Sequence, residues 1–246
     1  DIRHTLDLVL QNSMRAISKE ELEAAIAHRS PGERISFREV EIWNMDLTGM
    51  DLSNMEFELS SFQNTVLDHV NLENSSVENA LFDGCSLHGA NFTNANLKTA
   101  SFRYCDLRES NIEGANLFGA VLEYAKLDGI ISNEDTKWFR LRCPETGAFL
   151  GYKKCVNDRM VQLLIPADAK RTSATLPSCR CNKAKVLTIK SFDFKENYEE
   201  AWSLVDENFV YRRGQWVEVK DFNEDRWQDS TTGIHFWMTR QEAENY

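Results

Sequence analysis

The sequence predicts an array of short repeats followed by a compact, antiparallel, mostly β module, and three observations carry that prediction. From Phe37 to Leu127 a large apolar residue recurs at every fifth position (Phe37, Ile42, Leu47, Leu52, Phe57, Phe62 and onward), 19 matches without a slip. After Gly129-Ile130 this beat stops and apolar residues alternate instead. Nearly all the excess negative charge lies in the repeats: residues 31–130 carry 6 basic and 16 acidic groups, whereas 131–246 carry 18 of each. A period of five fits neither the helical 3.6 nor the strand period of 2, so the repeat itself sets the architecture.

Taken in order, residues 1–30 read as two helices. Ile2, Leu6, Val9, Leu10 and Met14 recur at helical spacing in the first. Ser18-Lys19-Glu20-Glu21 is a capping box for the second, with an apolar face of Leu22, Ala25 and Ile26. Pro31-Gly32 then stops it. The chain starts at Asp1 with no Met or apolar signal region, which reads as a trimmed or processed start.

Two residues before most of the repeated apolar positions stands a small residue, as at Ser60, Ala80, Cys85, Ala90, Cys105 and Ala115. The first coils use Val40, Met45, Met50 and Met55 there, so something bulkier is accommodated. The pattern is plainest in Ala90-Asn91-Phe92-Thr93-Asn94 and Ala115-Asn116-Leu117-Phe118-Gly119, and it resembles the pentapeptide-repeat family. That resemblance implies a mainly β chain whose repeats form a right-handed quadrilateral β-helix, four pentapeptides to a coil and about five coils long. Residues 20 apart then lie one above another at about 4.8 Å, in a rod roughly 20–25 Å long. With the end of the beat and the change to alternation, the domain order reads 1–34 a helical N-terminal cap over the open end of the helix, 35–130 the β-helix, 131–140 a connector, and 141–246 the compact mostly β (α+β) module.

Stacking by 20 predicts a column of Ile42, Phe62, Phe82, Phe102 and Leu122, with three phenyl rings piled. It also sets Glu78 over Lys98, Asp83 over Arg103, and Asp68, His88 and Arg108 in one column. Cys85 and Cys105 share an inward column, where stacked Cβ atoms are too far apart for a disulfide, so they read as small core residues. Asp46, Asn71, Asn91, Asn111 and their counterparts have local hydrogen bonds to the turn backbone available.

In the module, Ala148–Tyr152, Met160–Ile165 and Lys185–Lys190 read as strands, and Ile234–Met238 as a last one. Phe209–Tyr211 and Trp216–Val219 suggest a hairpin about Arg212-Arg213-Gly214, and Thr239-Arg240-Gln241-Glu242 a capping box. The pieces Leu164–Arg171, Cys179-Arg180, Lys183–Leu187 and Gly233–Phe236 resemble a domain of unassigned function found behind pentapeptide repeats in phage and gut-bacterial proteins. Relatives of that kind are expected to carry a Cys shortly before the Gly-Ile-His; here Asp229-Ser230-Thr231-Thr232 stands there.

Cys143, Cys155, Cys179, Cys181 and His235 include zinc-ligand types, but Cys-x-Cys and an 11-residue gap miss the usual knuckle spacing, so no metal and no cofactor is expected. Cys179 with His235 forms a weak candidate for a nucleophile pair, with Lys170, Arg171 and Arg180 to lower the thiol pKa. Lys170, Arg171, Arg180, Trp216, Trp227 and Trp237 are candidate binding residues of the module. Glu58, Asp68, Glu73 and Glu78 form a candidate acidic face of the rod. Six unpatterned cysteines point to a reducing compartment, and the absence of any long apolar run excludes a transmembrane helix.

Three functions stay open. The first is a non-enzymatic binding or scaffold protein of bacterial or phage type, cytoplasmic in the bacterium or its host, recognising a protein with a basic or apolar surface. The second, implied by the family resemblance, is a DNA mimic acting on an enzyme such as a type II topoisomerase. The third is a cysteine-dependent enzyme or effector. Direct nucleic-acid or membrane binding is not expected of so acidic a chain, net −11.

Overall fold

The computed structural model describes residues 14–246, in two units, the first ending at Phe139 and the second running from Arg140 to Tyr246. The first predicted helix falls outside the described residues, Met14 excepted.

In the first unit each pentapeptide contributes a short extended side and a corner. At the corner, the amide three residues after the central apolar residue donates to that residue's carbonyl, as from Cys85 to Phe82 (2.8 Å) and Ala95 to Phe92 (3.0 Å). The third residue of this turn is left-handed in every repeat from Glu39 to Gly129. Such a turn favours Gly or Asn there, and the sequence supplies Asn54, Asn64, Asn74, Asn79, Gly84, Gly89, Asn94 and Gly114.

The sides stack in parallel at a spacing of 20, from Asp46 with Val66 through Asp106 with Lys126. Leu81 donates to Ser60 O (2.9 Å) while Phe82 donates to Ser101 O (2.9 Å), so one side bonds to the coils on both flanks. The central residues are buried from Phe37 to Leu122. Phe62 and Phe82 stack at 4.5 Å and 14°, Phe82 and Phe102 at 5.1 Å and 5°, as the 20-residue register predicts. The small column also satisfies backbone. Ser60 Oγ donates to Phe37 O (3.0 Å), Ser75 Oγ to Leu52 O (2.7 Å) and Cys105 Sγ to Phe82 O (2.9 Å). All six cysteines are free thiols.

Within the columns some charged partners differ from those read off the sequence. Arg103 pairs with Glu123, also 20 residues away, at 3.2 Å, and not with Asp83. Arg108 closes a fork on Asp106 of its own side (2.8 Å), and Glu78 accepts from Asn96 Nδ2 (3.0 Å) in place of Lys98. Stacking fixes which residues share a column; the rotamer and, for Arg108, the fork geometry choose the partner.

At the N-terminal end Arg15–Ala16 (β1) pairs in parallel with Val40–Trp43 (β3), whose other edge takes Ser61–Gln63 (β5). Ile35–Ser36 (β2) pairs likewise with Met55–Glu56 (β4). Between β1 and β2 runs Lys19–His28 (α1), with Ser18 Oγ accepting from Glu21 N at 3.2 Å. The other half of the capping box is not made, because the Glu21 carboxylate is held by Arg15 at 2.7 Å. Leu22 is the fully buried residue of α1, and Arg29 just beyond it pairs with Asp51 at 3.2 Å. At the far end the winding outlasts the apolar beat. The expected connector still pairs Ile131 with Asn111 and Lys137 with Asn116, and Thr136 Oγ1 donates to Ile112 O (2.9 Å). The last pair spans 21 residues, so one extra residue enters that coil.

The second unit centres on a four-stranded antiparallel sheet. Its order is Trp216–Glu218 (β13), Lys183–Ser191 (β10), Arg159–Ile165 (β7) and Phe149–Cys155 (β6). A second sheet orders Ile234–Phe236 (β14), Cys179–Cys181 (β9) and Arg171–Ser173 (β8), and Glu200–Trp202 (β11) pairs with Val210–Arg212 (β12). The predicted hairpin is therefore not formed. The turn is there, with Gln215 N donating to Arg212 O (3.0 Å), but Gly214 N is taken by Val186 O (2.7 Å), which peels β13 onto β10. The chain closes with Arg240–Glu244 (α2), capped by Thr239 Oγ1 accepting from Glu242 N (3.1 Å).

Candidate binding site

The two residues of the candidate nucleophile pair point away from each other. In the β9–β14 ladder His235 stands opposite Arg180, and Cys179 opposite Phe236. Cross-strand partners share a face, and neighbours along a strand do not. Cys179 thus joins Phe236 in the core, fully buried, and His235 emerges on the reverse side. A thiol–thiol hydrogen bond with Cys143, together with burial, pushes the Cys179 pKa well above the ordinary thiol value. Burial likewise holds Cys181 up at about 12 and Cys155 at about 11. Lys170, Arg171 and Arg180 do not lower the Cys179 thiol. Among the described residues no three His, Cys, Asp or Glu side chains gather as a metal site would need.

Most of the cationic candidates are engaged in holding the fold. Arg180 is buried and donates to the carbonyls of Asn223 (2.8 Å), Thr232 (2.8 Å) and Asp225 (2.9 Å), clamping the loop before β14. Arg171 donates to Gly147 O (2.6 Å), Pro166 O (2.7 Å) and Ala169 O (3.0 Å), stacked over Phe149. Lys170 pairs with Glu224 at 3.5 Å on the surface. Of the tryptophans, Trp237 is buried against Met160 and Ala243, Trp227 is half-buried under Arg226, and Trp216 is exposed.

The sequence reading missed Lys153. On β6 it occupies the inward phase shared by Gly151 and Cys155, and only 7% of it is exposed. Its ammonium donates to His235 O (3.0 Å) and lies over the Tyr211 and Trp237 rings at 5.9 and 6.0 Å. Among the described residues no carboxylate is within ion-pair reach of it. Burial lowers the Lys153 pKa, and burial likewise lowers that of His235, whose Nε2 meets Asp229 O at 2.9 Å. Both residues line a cavity of about 280 Å³ with Ser230, Trp237, Val205 and Tyr246. A second chamber of about 270 Å³ shares Lys153, Ser203, Val205 and His235. The signal in the sequence was a charged residue on the core phase of an alternating strand.

On the first unit the four acidic candidates are partly spoken for. Glu58 pairs with Arg38 (3.0 Å), Asp68 accepts from His88 N (3.1 Å), and Glu78 holds Asn96, while Glu73 stands on the same array. The reading also missed Tyr104 and Tyr124. They occupy left-handed corners one coil apart, 62% and 51% exposed, with rings stacked at 4.9 Å and 15°. Their spacing of 20 is the readable signal.

This array of stacked five-residue sides defines the class of protein, and the comparisons agree. Residues 35–112 match the pentapeptide repeat region family and 95–131 the pentapeptide repeats, as 8 copies. Residues 35–131 are pentapeptide repeats. Residues 139–243 of the chain match a family of unknown function (DUF5758). A pentapeptide repeat protein of the Arabidopsis thaliana thylakoid lumen is similar at 25% identity, over 41% of this chain and 70% of that one, TM-score 0.37. Rfr23 from the cyanobacterium Cyanothece 51142 is 21% identical over 46% and 97%, TM-score 0.24. A trypsin-treated QnrB1, a plasmid-mediated fluoroquinolone resistance protein, is 23% identical over 50% and 72%, TM-score 0.15. No curated protein matches the chain. No helix among the described residues is long and apolar enough to cross a membrane.

Proposed function

We propose that the chain is a non-enzymatic binding protein whose repeats wind as a right-handed quadrilateral β-helix and whose second unit adds specific recognition. The carrying observation is the exposed Tyr104–Tyr124 stack. Two rigid aromatic side chains fixed at corners of a hydrogen-bonded array lose little entropy on contact, which makes them anchors for a partner surface. The surrounding coils are acidic, so a partner with a basic and partly apolar protein surface fits them. Placement in a bacterial or host cytoplasm belongs to the same proposal. A cysteine enzyme is disfavoured by the sealed Cys179, and a DNA mimic by the internal engagement of Glu58, Asp68 and Glu78.

The test is affinity capture from bacterial lysate with the full chain and with a Tyr104→Ser/Tyr124→Ser double variant, followed by a binding titration with the purified partner. One protein retained by the parent and lost by the variant supports the reading. Equal retention by both, or inhibition of DNA supercoiling that persists in the variant, overturns it.

A further inference from the structure

We propose that the cavity against Lys153 is a binding site for a carboxylate carried on an apolar body. An ammonium has three protons to donate, and Lys153 gives one, to the His235 carbonyl. Taking such a charge out of water is unfavourable unless an anion meets it, and the chain supplies none within reach. Lys153 lines a cavity of about 280 Å³ whose walls include Trp237, Val205 and Tyr246. Val205 and Tyr246, with Leu204 beside them, stay exposed at its lining. Lys154 also lines the cavity, but its ammonium is engaged by Tyr246 O (3.5 Å) and Asp158 (3.9 Å). Among the described residues Lys153 is then the one cation there without a carboxylate, and one compact cation among apolar walls and a few hydroxyls suits a single-charged carboxylate better than a phosphate, which calls for several donors. Asp206 and Asp221 line the second chamber, so negative charge is disfavoured there and the anion belongs in the first.

This goes beyond the tyrosine surface of the coils and does not depend on it. A chain that takes up the acid but no protein, or the reverse, separates the two proposals.

The source of the carboxylate, a free acid or a peptide C-terminus, is distinguished by the probes. The full chain is titrated calorimetrically with phenylbutyrate, with phenylbutyramide, and with a short apolar peptide as its free acid and as its C-terminal amide. At least one acid is expected to bind, with its amide about tenfold or more weaker, the loss of one charge-assisted hydrogen bond. Lys153→Met, which keeps the length of the side chain, is expected to bring the acid down to the level of the amide. Val205→Glu, at an exposed position, weakens the acid by repulsion and serves should Lys153→Met fail to fold. Binding of neither acid, equal binding of acid and amide, unchanged affinity in the folded variants, or displacement by inorganic phosphate at equal concentration would each overturn the assignment.

Discussion

Phe82 stands between two parallel rings, 4.5 Å from Phe62 and 5.1 Å from Phe102, with no exposed surface. Phe82→Ala removes the buried ring and leaves a cavity, at a cost of about 3–5 kcal/mol. Each stacked pair adds about 0.5–1.5 kcal/mol beyond area burial. Phe82→Leu refills most of the volume, so its cost, about 1–3 kcal/mol, is mainly the two lost pairs. A double-mutant cycle isolates one of them. Phe82→Leu combined with Phe102→Leu is expected to show a coupling of about 0.5–1.5 kcal/mol, whereas Phe82→Leu with Leu47→Ala, in a column without ring contact, adds to within about 0.5 kcal/mol. Urea unfolding followed by far-ultraviolet circular dichroism gives both numbers. A Phe82–Phe102 coupling no larger than that of Phe82 with Leu47 would refute the claim that stacked rings, and not mere burial, stabilise the coils.

Arg180→Met should leave the carbonyls of Asn223, Asp225 and Thr232 without their donor, destabilising by about 3–5 kcal/mol. Arg180→Lys should not rescue it, because an ammonium cannot span the fork. Thermal melting and protease cleavage within 221–233 check both. The Arg108 fork, the largest cause, holds the Asp106 carboxyl at about 2, below its ordinary value. Its stabilising contribution is therefore present above the ordinary aspartate pKa and lost as pH falls through about 2. Asp106→Asn should flatten the pH dependence of stability in that acid window, and an unchanged slope in acid denaturation would count against the fork.

What was legible in the sequence was whatever repeats in backbone register. The five-residue beat announced the core because each central side chain points inward, so the stack of Phe62, Phe82 and Phe102 follows from the spacing alone. The Asn and Gly corners were equally periodic and went unread, although Asn64, Gly84 and Asn94 advertise left-handed backbone. Partner choice was not legible, since Arg103 can reach either coil and only rotamers decide for Glu123. In the second unit the long strands β6, β7 and β10 were readable from alternation. Of the short ones, β12, β13 and β14 were readable too, whereas β8, β9 and β11 were not: β8 and β9 carry Arg171 and Arg180, whose charge looks like surface but is spent on loop carbonyls. Lys153 was hidden for the same reason, as one cation in a Tyr-Lys-Lys run.

The additional residue between Asn116 and Lys137 shows how the array absorbs an insertion. Lys137 still donates to Ala115 O (2.9 Å) and accepts from Leu117 N (3.0 Å), so the ladder is back in step directly after it. A single added residue is thus swallowed within one level, without a matching change in the level beneath.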